Sequence, residues 1–142
     1  RLTDYRLALY AAPAYLKSEG RPEKPADLTH HRLVGYIDDL LYASELRYLD
    51  EVHPGLHPAL TSSSIRAQLE IIAAGGGIGI LPCFLVSQSG ADLVAVLPES
   101  VRITRSFWIS ARRDVQDSAR VRAVRSWIRD IVKAERALLL PD

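Results

Sequence analysis

Three hydroxyl side chains stand in a row at Ser62, Ser63 and Ser64, just before an apolar period begins. Ile65, Leu69, Ile72 and Ala73 then recur at i, i+4, i+7 and i+8, the spacing of one helix face. The serines therefore sit at the start of a helix, where backbone N–H groups lack partners and a partial positive charge gathers. Hydroxyls at that place can cap the helix, or they can hold a carboxylate or hydroxyl of a small ligand. Both readings stay open on the sequence.

Other residues invite chemistry and support it less. Asp38 and Asp39 could pair for acid–base work, but adjacent carboxylates rarely aim at one substrate. Asp38 could instead select a cationic group. His53 and His57 have the four-residue spacing of metal ligands on a helix, yet Pro54 and Gly55 lie between them. His30 and His31 are adjacent and would point apart on a strand. Gly77 and Gly79 follow a helix and precede a strand, the reverse of a dinucleotide fingerprint. Cys83 has no cationic neighbour and no Cys-x-x-Cys partner, so a small buried thiol is expected. No metal site and no cofactor is expected.

The elements that must position these residues alternate between strand and helix. Leu7 to Ala11 reads as a strand ended by Pro13, with AYLKSE a short helix closed by Gly20. A helical turn is expected at Pro25 to Leu28, and a second strand at Arg32 to Ile37. Asp38 to His53 has no clean period, although Leu41, Tyr42, Leu46 and Leu49 hint at packing. Pro54-Gly55 signals a turn, and His57 to Ser62 a third strand. After the central helix, Gly75, Gly76 and Gly77 offer a hinge, and Ile78 to Leu81 is a short buried strand stopped by Pro82. CFLVSQS is a further helix with Gly90 as its stop, and Leu93 to Leu97 a further strand. Val101 to Ala111 alternates as a strand should. A final helix starts near Asp117, with an apolar stripe of Val121, Val124, Ile128 and Ile131 widened by Trp127 and Val132. Arg122, Arg125, Arg129, Lys133 and Arg136 form its basic side, the expected solvated face. The class is α/β with a largely parallel or mixed sheet.

The totals limit the partners. A formal net charge of +1 gives the whole chain no strong pull toward DNA or an anionic membrane. One cysteine excludes an internal disulfide and fits a reducing compartment. The longest apolar runs fall short of the ~18 residues of a membrane helix. The chain of 142 residues begins at Arg1 and contains no methionine, so it is expected to be a piece of a longer polypeptide.

LALYAAPAYLKSEGRPEKPADLTHHRLVGY, then SSSIRAQLEIIAAGGGIGILP, then SFWISARRD with a closing helix, resembles the effector-binding domain of LysR-type transcriptional regulators. The glycine-rich AAGGGIGILP and its distance from LYAAPAYL carry most of the likeness, which covers nearly the whole chain. The resemblance implies a fold like a type 2 periplasmic binding protein, in which two α/β lobes joined by crossing strands hold a small effector between them. Residues 12–104 would form the distal lobe. Residues 1–11 and 105–142 would supply the crossing strands and a remnant of the proximal lobe, with Leu7–Ala11 and Phe107–Ala111 as the two bridges.

The distal side of the cleft would be lined by Tyr36, Ile37 and Asp38, and by Ser62, Ser63 and Ser64, with Pro82 and Cys83 approaching the rim. The implied protein is a bacterial, cytoplasmic, homo-oligomeric regulator, a dimer or tetramer. It does no chemistry and reads DNA through an N-terminal domain that this chain lacks. A transporter's solute-binding protein would share the fold, and it is the alternative.

Overall fold

A computed structural model describes residues 1–41 and 46–141 of the chain. Its centre is β1 (Thr3–Ala11), whose alternation buries Leu7, Leu9 and Ala11 on one face of the sheet and turns Tyr10 to the other. Pro13 then opens α1 (Pro13–Glu19), where its missing N–H costs nothing, and Gly20 ends it with a positive φ of 87°. A 3-10 turn at Pro25–His30 is fixed by Asp27, which accepts the backbone N–H groups of Glu23 and Lys24 at 3.0 and 3.1 Å. The short strand β2 (Leu33–Gly35) follows, then a 3-10 turn at Asp38–Leu40 and the helix α2 (Tyr48–Val52).

The next unit is the glycine-hinged one. β3 (Leu60–Thr61) leads into α3 (Ile65–Ala73), with Ser64 at its N-cap. Gly75, at φ 80°, turns the chain back into β4 (Ile78–Pro82), all five residues of which are buried. Gly77 is required by close approach. A Cβ there would stand 2.3 Å from the carbonyl oxygen of Arg32, the same oxygen that accepts the Ile78 N–H at 2.9 Å. The chain closes with α4 (Cys83–Ser89), β5 (Val94–Val96), β6 (Ile103–Phe107), α5 (Ala119–Ala134) and α6 (Arg136–Leu139).

The sheet order is β3-β2-β4-β1-β5, with β6 also on β1. β2, β3 and β4 run parallel, while β1 is antiparallel to β4, β5 and β6. β5 and β6 share one edge of β1, end to end. Leu9 to Ala11 pair with β5, and Thr3 to Leu7 pair with β6. Leu33, Ile78, Ile80, Leu7 and Leu9 pack on one face under Leu28, Leu49 and Leu56. Val34 and Leu81 pack on the other under Leu69 and Ile72 of α3, each such side chain contributing ~1.5–3 kcal/mol of burial. The result is a three-layer mixed α/β unit.

The second bridge differs from the sequence reading. The strand ends at Phe107 and does not run on to Ala111. Phe107 pairs with Thr3, so Leu7–Ala11 is partnered by β4 and β5, and only Leu7 meets this last strand, at Ile103. Alternation alone cannot make a strand, because a ladder needs an opposite edge, and β1 starts at Thr3. Trp108, just past the pairing, is 73% exposed. The segments that pair are thus Thr3–Leu7 and Ile103–Phe107.

Two smaller differences have the same cause. The third strand shrinks to Leu60–Thr61 because β2 offers it only Val34 and Gly35. The aperiodic region hides α2, and Tyr42, expected to pack there, lies outside the described residues. The last helix forms as expected, but none of its residues is buried, and Val124, Trp127 and Ile131 are exposed. Among the described residues no helix is long and apolar enough to cross a membrane.

Candidate functional site

The three parallel strands end side by side, and a crevice outside the carboxyl ends of such strands is where open α/β sheets bind ligands. Tyr36, Ile37 and Asp38 follow β2, and Ser62, Ser63 and Ser64 follow β3. The Ser62 N–H donates to the Gly35 carbonyl at 3.0 Å, which locks the two loops together. Pro82 ends β4 and Cys83 follows it on the same edge.

The three serines differ. Ser64 Oγ accepts the Ala67 N–H at 3.4 Å, an N-cap bond. Ser62 Oγ accepts the Ser64 N–H at 3.2 Å. Ser63 is exposed, and its hydroxyl is bonded to none of the described residues. Two of the three hydroxyls therefore hold the helix start in shape, and the third makes no bond to a described residue.

A cavity of about 540 Å³, part of it open to solvent, lies beside this edge under the segment that carries α2. Tyr36 and Asp38 line it, whereas Ile37 and the three serines do not. Its mouth is crossed by Asp38 and Arg47, 3.7 Å apart and both about half exposed, a pair worth little in free energy because solvent screens it. Inside, the rings of Tyr36 and Tyr48 lie 6.1 Å apart at 60°. Burial pushes the Tyr48 hydroxyl well above the ordinary phenol value, and the neighbouring Tyr5 and Tyr36 add to the shift, so the group stays protonated. Arg105 of β6 stacks over the Tyr48 ring at 5.4 Å and makes an ion pair with Glu51, tying α2 to β6.

The sequence reading missed Gln68, the buried polar side chain of this region, at 1% exposure. It lines the cavity and donates from Nε2 to the Ser62 carbonyl at 2.8 Å, joining the serine turn to the cavity wall. A signal existed. Gln68 sits three residues after Ile65 and one before Leu69, on the buried face of α3. Tyr48 and Arg47 had none, because their placement depends on how an aperiodic segment folds back.

The remaining candidates go elsewhere. Cys83 is free and buried, and the Tyr10 hydroxyl is pushed above the ordinary phenol value by burial first and then by the neighbouring Cys83. His53 Nδ1 donates to the Pro54 carbonyl at 2.8 Å. His31 Nδ1 faces the Tyr15 hydroxyl at 3.3 Å, and that hydroxyl accepts the Arg32 N–H at 3.0 Å. Among the described residues no group of three or more metal-ligating side chains gathers.

The sequence profile of the LysR substrate binding domain matches residues 1–133. The chain belongs to the LysR substrate-binding-domain family. The iron-regulated virulence regulatory protein IrgB of Vibrio cholerae is 33% identical to this LysR domain over 90 residues, 61% of this chain and 30% of that protein. An uncharacterized HTH-type transcriptional regulator of Haemophilus influenzae is 30% identical over 99 residues, 63% of this chain and 32% of that protein. The LysR domain thus spans about a third of the length of these relatives.

Two solved structures share the fold. The CrgA regulatory domain of Neisseria meningitidis superposes with a TM-score of 0.69 at 22% identity, over 91% of this chain and 66% of that one. The full-length virulence activator AphB of Vibrio cholerae does so with a TM-score of 0.71 at 20% identity, over 92% of this chain and 46% of that one. The mixed α/β architecture of LysR regulatory domains, like that of periplasmic binding proteins, is therefore the architecture of this chain.

Proposed function

We propose that this LysR domain is the distal lobe, with both bridges and the closing helix, of the ligand-sensing half of a transcription factor. The observation that carries the reading is the Ser62–Gly35 bond, which sets Tyr36, Ile37 and Asp38 beside Ser62, Ser63 and Ser64 at the carboxyl edge of a family-matched sheet. Residues 12–104 form this lobe, and the Thr3–Leu7 and Ile103–Phe107 ribbon leads to its companion. A small effector held at the edge favours one lobe arrangement, and that preference shifts how a separate N-terminal domain holds DNA. Such coupling is typically ~1–3 kcal/mol. The domain binds its ligand without transforming it, and it acts in the cytoplasm as part of a homo-oligomer. The exposed Val124, Trp127 and Ile131 of α5 are an apolar strip that a companion lobe or second subunit would cover. No observation favours a transporter's solute-binding protein, and the relatives named above are regulators.

The test is a thermal-shift screen of the chain against small metabolites, followed by calorimetric titration of each hit. A genuine effector raises the melting temperature through its preference for the folded state. Tyr36→Ala and Ser63→Ala are expected to weaken it at least about tenfold together. Hits whose affinity ignores both substitutions would place binding away from this edge and sink the reading.

A further inference from the structure

The cavity beside the serine edge has a chemistry of its own. Its walls are Leu46, Leu49, Leu56 and Ile80, with the Tyr36 and Tyr48 rings between them. Such walls favour an apolar ring or short aliphatic body over a polar chain. Gln68 is the polar group at the wall. Its Nε2 is committed to the Ser62 carbonyl, while its Oε1 has no partner among the described residues although the side chain is 1% exposed. Gln68 Oε1 is an open acceptor on a mostly apolar wall rather than a sealed, unsatisfied one, and a ligand that brings an O–H or N–H gains a hydrogen bond there.

Charge narrows the class. Among the described residues the ionisable groups that line the cavity, besides the two tyrosines, are Asp38, Arg47, Asp50 and His57. Among the described lining residues Asp38 and Asp50 outnumber Arg47, which faces Asp38 at 3.7 Å, so a ligand carboxylate meets a net negative wall. The geometry points to a binding site within this one lobe for a small uncharged ring compound bearing one hydrogen-bond donor, which Gln68 Oε1 accepts. The inference rests on the sensing role proposed above and narrows its ligand class. Gln68 then links occupancy to the helix start, since the amide that meets the ligand also holds Ser62.

Three probes of one ring size test it on the 142-residue chain: phenol, which has the donor; anisole, in which the oxygen is capped; and benzoate, which carries the charge. Titrations followed by NMR are expected to show phenol moving the Gln68 side-chain amide and the Tyr36 and Tyr48 ring signals. Phenol should bind at least about fivefold tighter than anisole, the scale of one net hydrogen bond, and benzoate should bind weaker still. Gln68→Met should erase the phenol–anisole difference. Leu46→Trp, on the partly exposed side of the cavity, should block both probes and leave the melting temperature near that of the parent.

Equal binding of phenol and anisole to the parent chain overturns the inference. So do tighter binding of benzoate, shifts confined to other residues, and no phenol binding up to about 10 mM, a weak limit even for so small a ligand. An anionic metabolite that binds at Ser63 and leaves the Gln68 amide unmoved would overturn this inference while the sensing role stands.

Discussion

Ser63 and Ser64 are neighbours with separable jobs. Ser64 caps α3 through the Ala67 N–H, so Ser64→Ala should cost about 0.5–1 kcal/mol in a denaturant melt, the lower part of the usual capping range for an exposed, 3.4 Å bond. Ser63→Ala should leave stability within about 0.5 kcal/mol, since an exposed hydroxyl without a partner holds nothing together. Equal losses from both substitutions would show that the two hydroxyls share the capping role. Tyr10 and Tyr48 give a pH signature. The folded state raises both hydroxyls above the ordinary value of 10.0, so it binds their protons more tightly than the unfolded chain does. Their contribution to stability is complete below pH 10.0 and is lost as the pH climbs past that value. Melting temperatures should therefore fall steeply in alkali, and Tyr48→Phe should flatten the fall. The cap was legible in the sequence because capping is a local rule. The Asp38–Arg47 pair was not, because no local rule sets two side chains nine positions apart in an aperiodic stretch against each other.

Among the elements, the run from α3 to β4 was the most legible. A helix period, three glycines and a short apolar strand each follow from local geometry, and all three formed where expected. What the alternation of Val101 to Ala111 could not reveal was where pairing stops, since that is decided by the far edge of β1. The same local unit gives a sharp mutational prediction. Gly77→Ala would force a methyl to 2.3 Å from the Arg32 carbonyl oxygen, a backbone atom held by the β2–β4 pairing. The cost should exceed about 2 kcal/mol, as for other substitutions that strain a fixed backbone. A melt of the purified variant reads it directly, and a loss below about 0.5 kcal/mol would show that β2 and β4 can part without penalty.

At the scale of the molecule, α5 stands apart from the rest. It is an amphipathic helix with no buried residue, and Val124, Trp127 and Ile131 of its apolar stripe are exposed, Trp127 to 64%. Amide exchange should therefore be fast along Ala119–Ala134 and slow in β1 and β4. Protection of α5 that grows with protein concentration would show copies covering one another's stripes. The sheet itself has an unusual history built into its order. β1 is made first, yet every rung on it waits for residues 79–107. During synthesis Leu7 and Leu9 leave the ribosome as sticky, unmatched residues, and most of the chain must follow before they can be sealed. Assembly of the sheet is thus dominated by distant contacts, slow on the millisecond-to-second scale typical of such topologies. In a cell, this stretch is where a holding chaperone would first take hold.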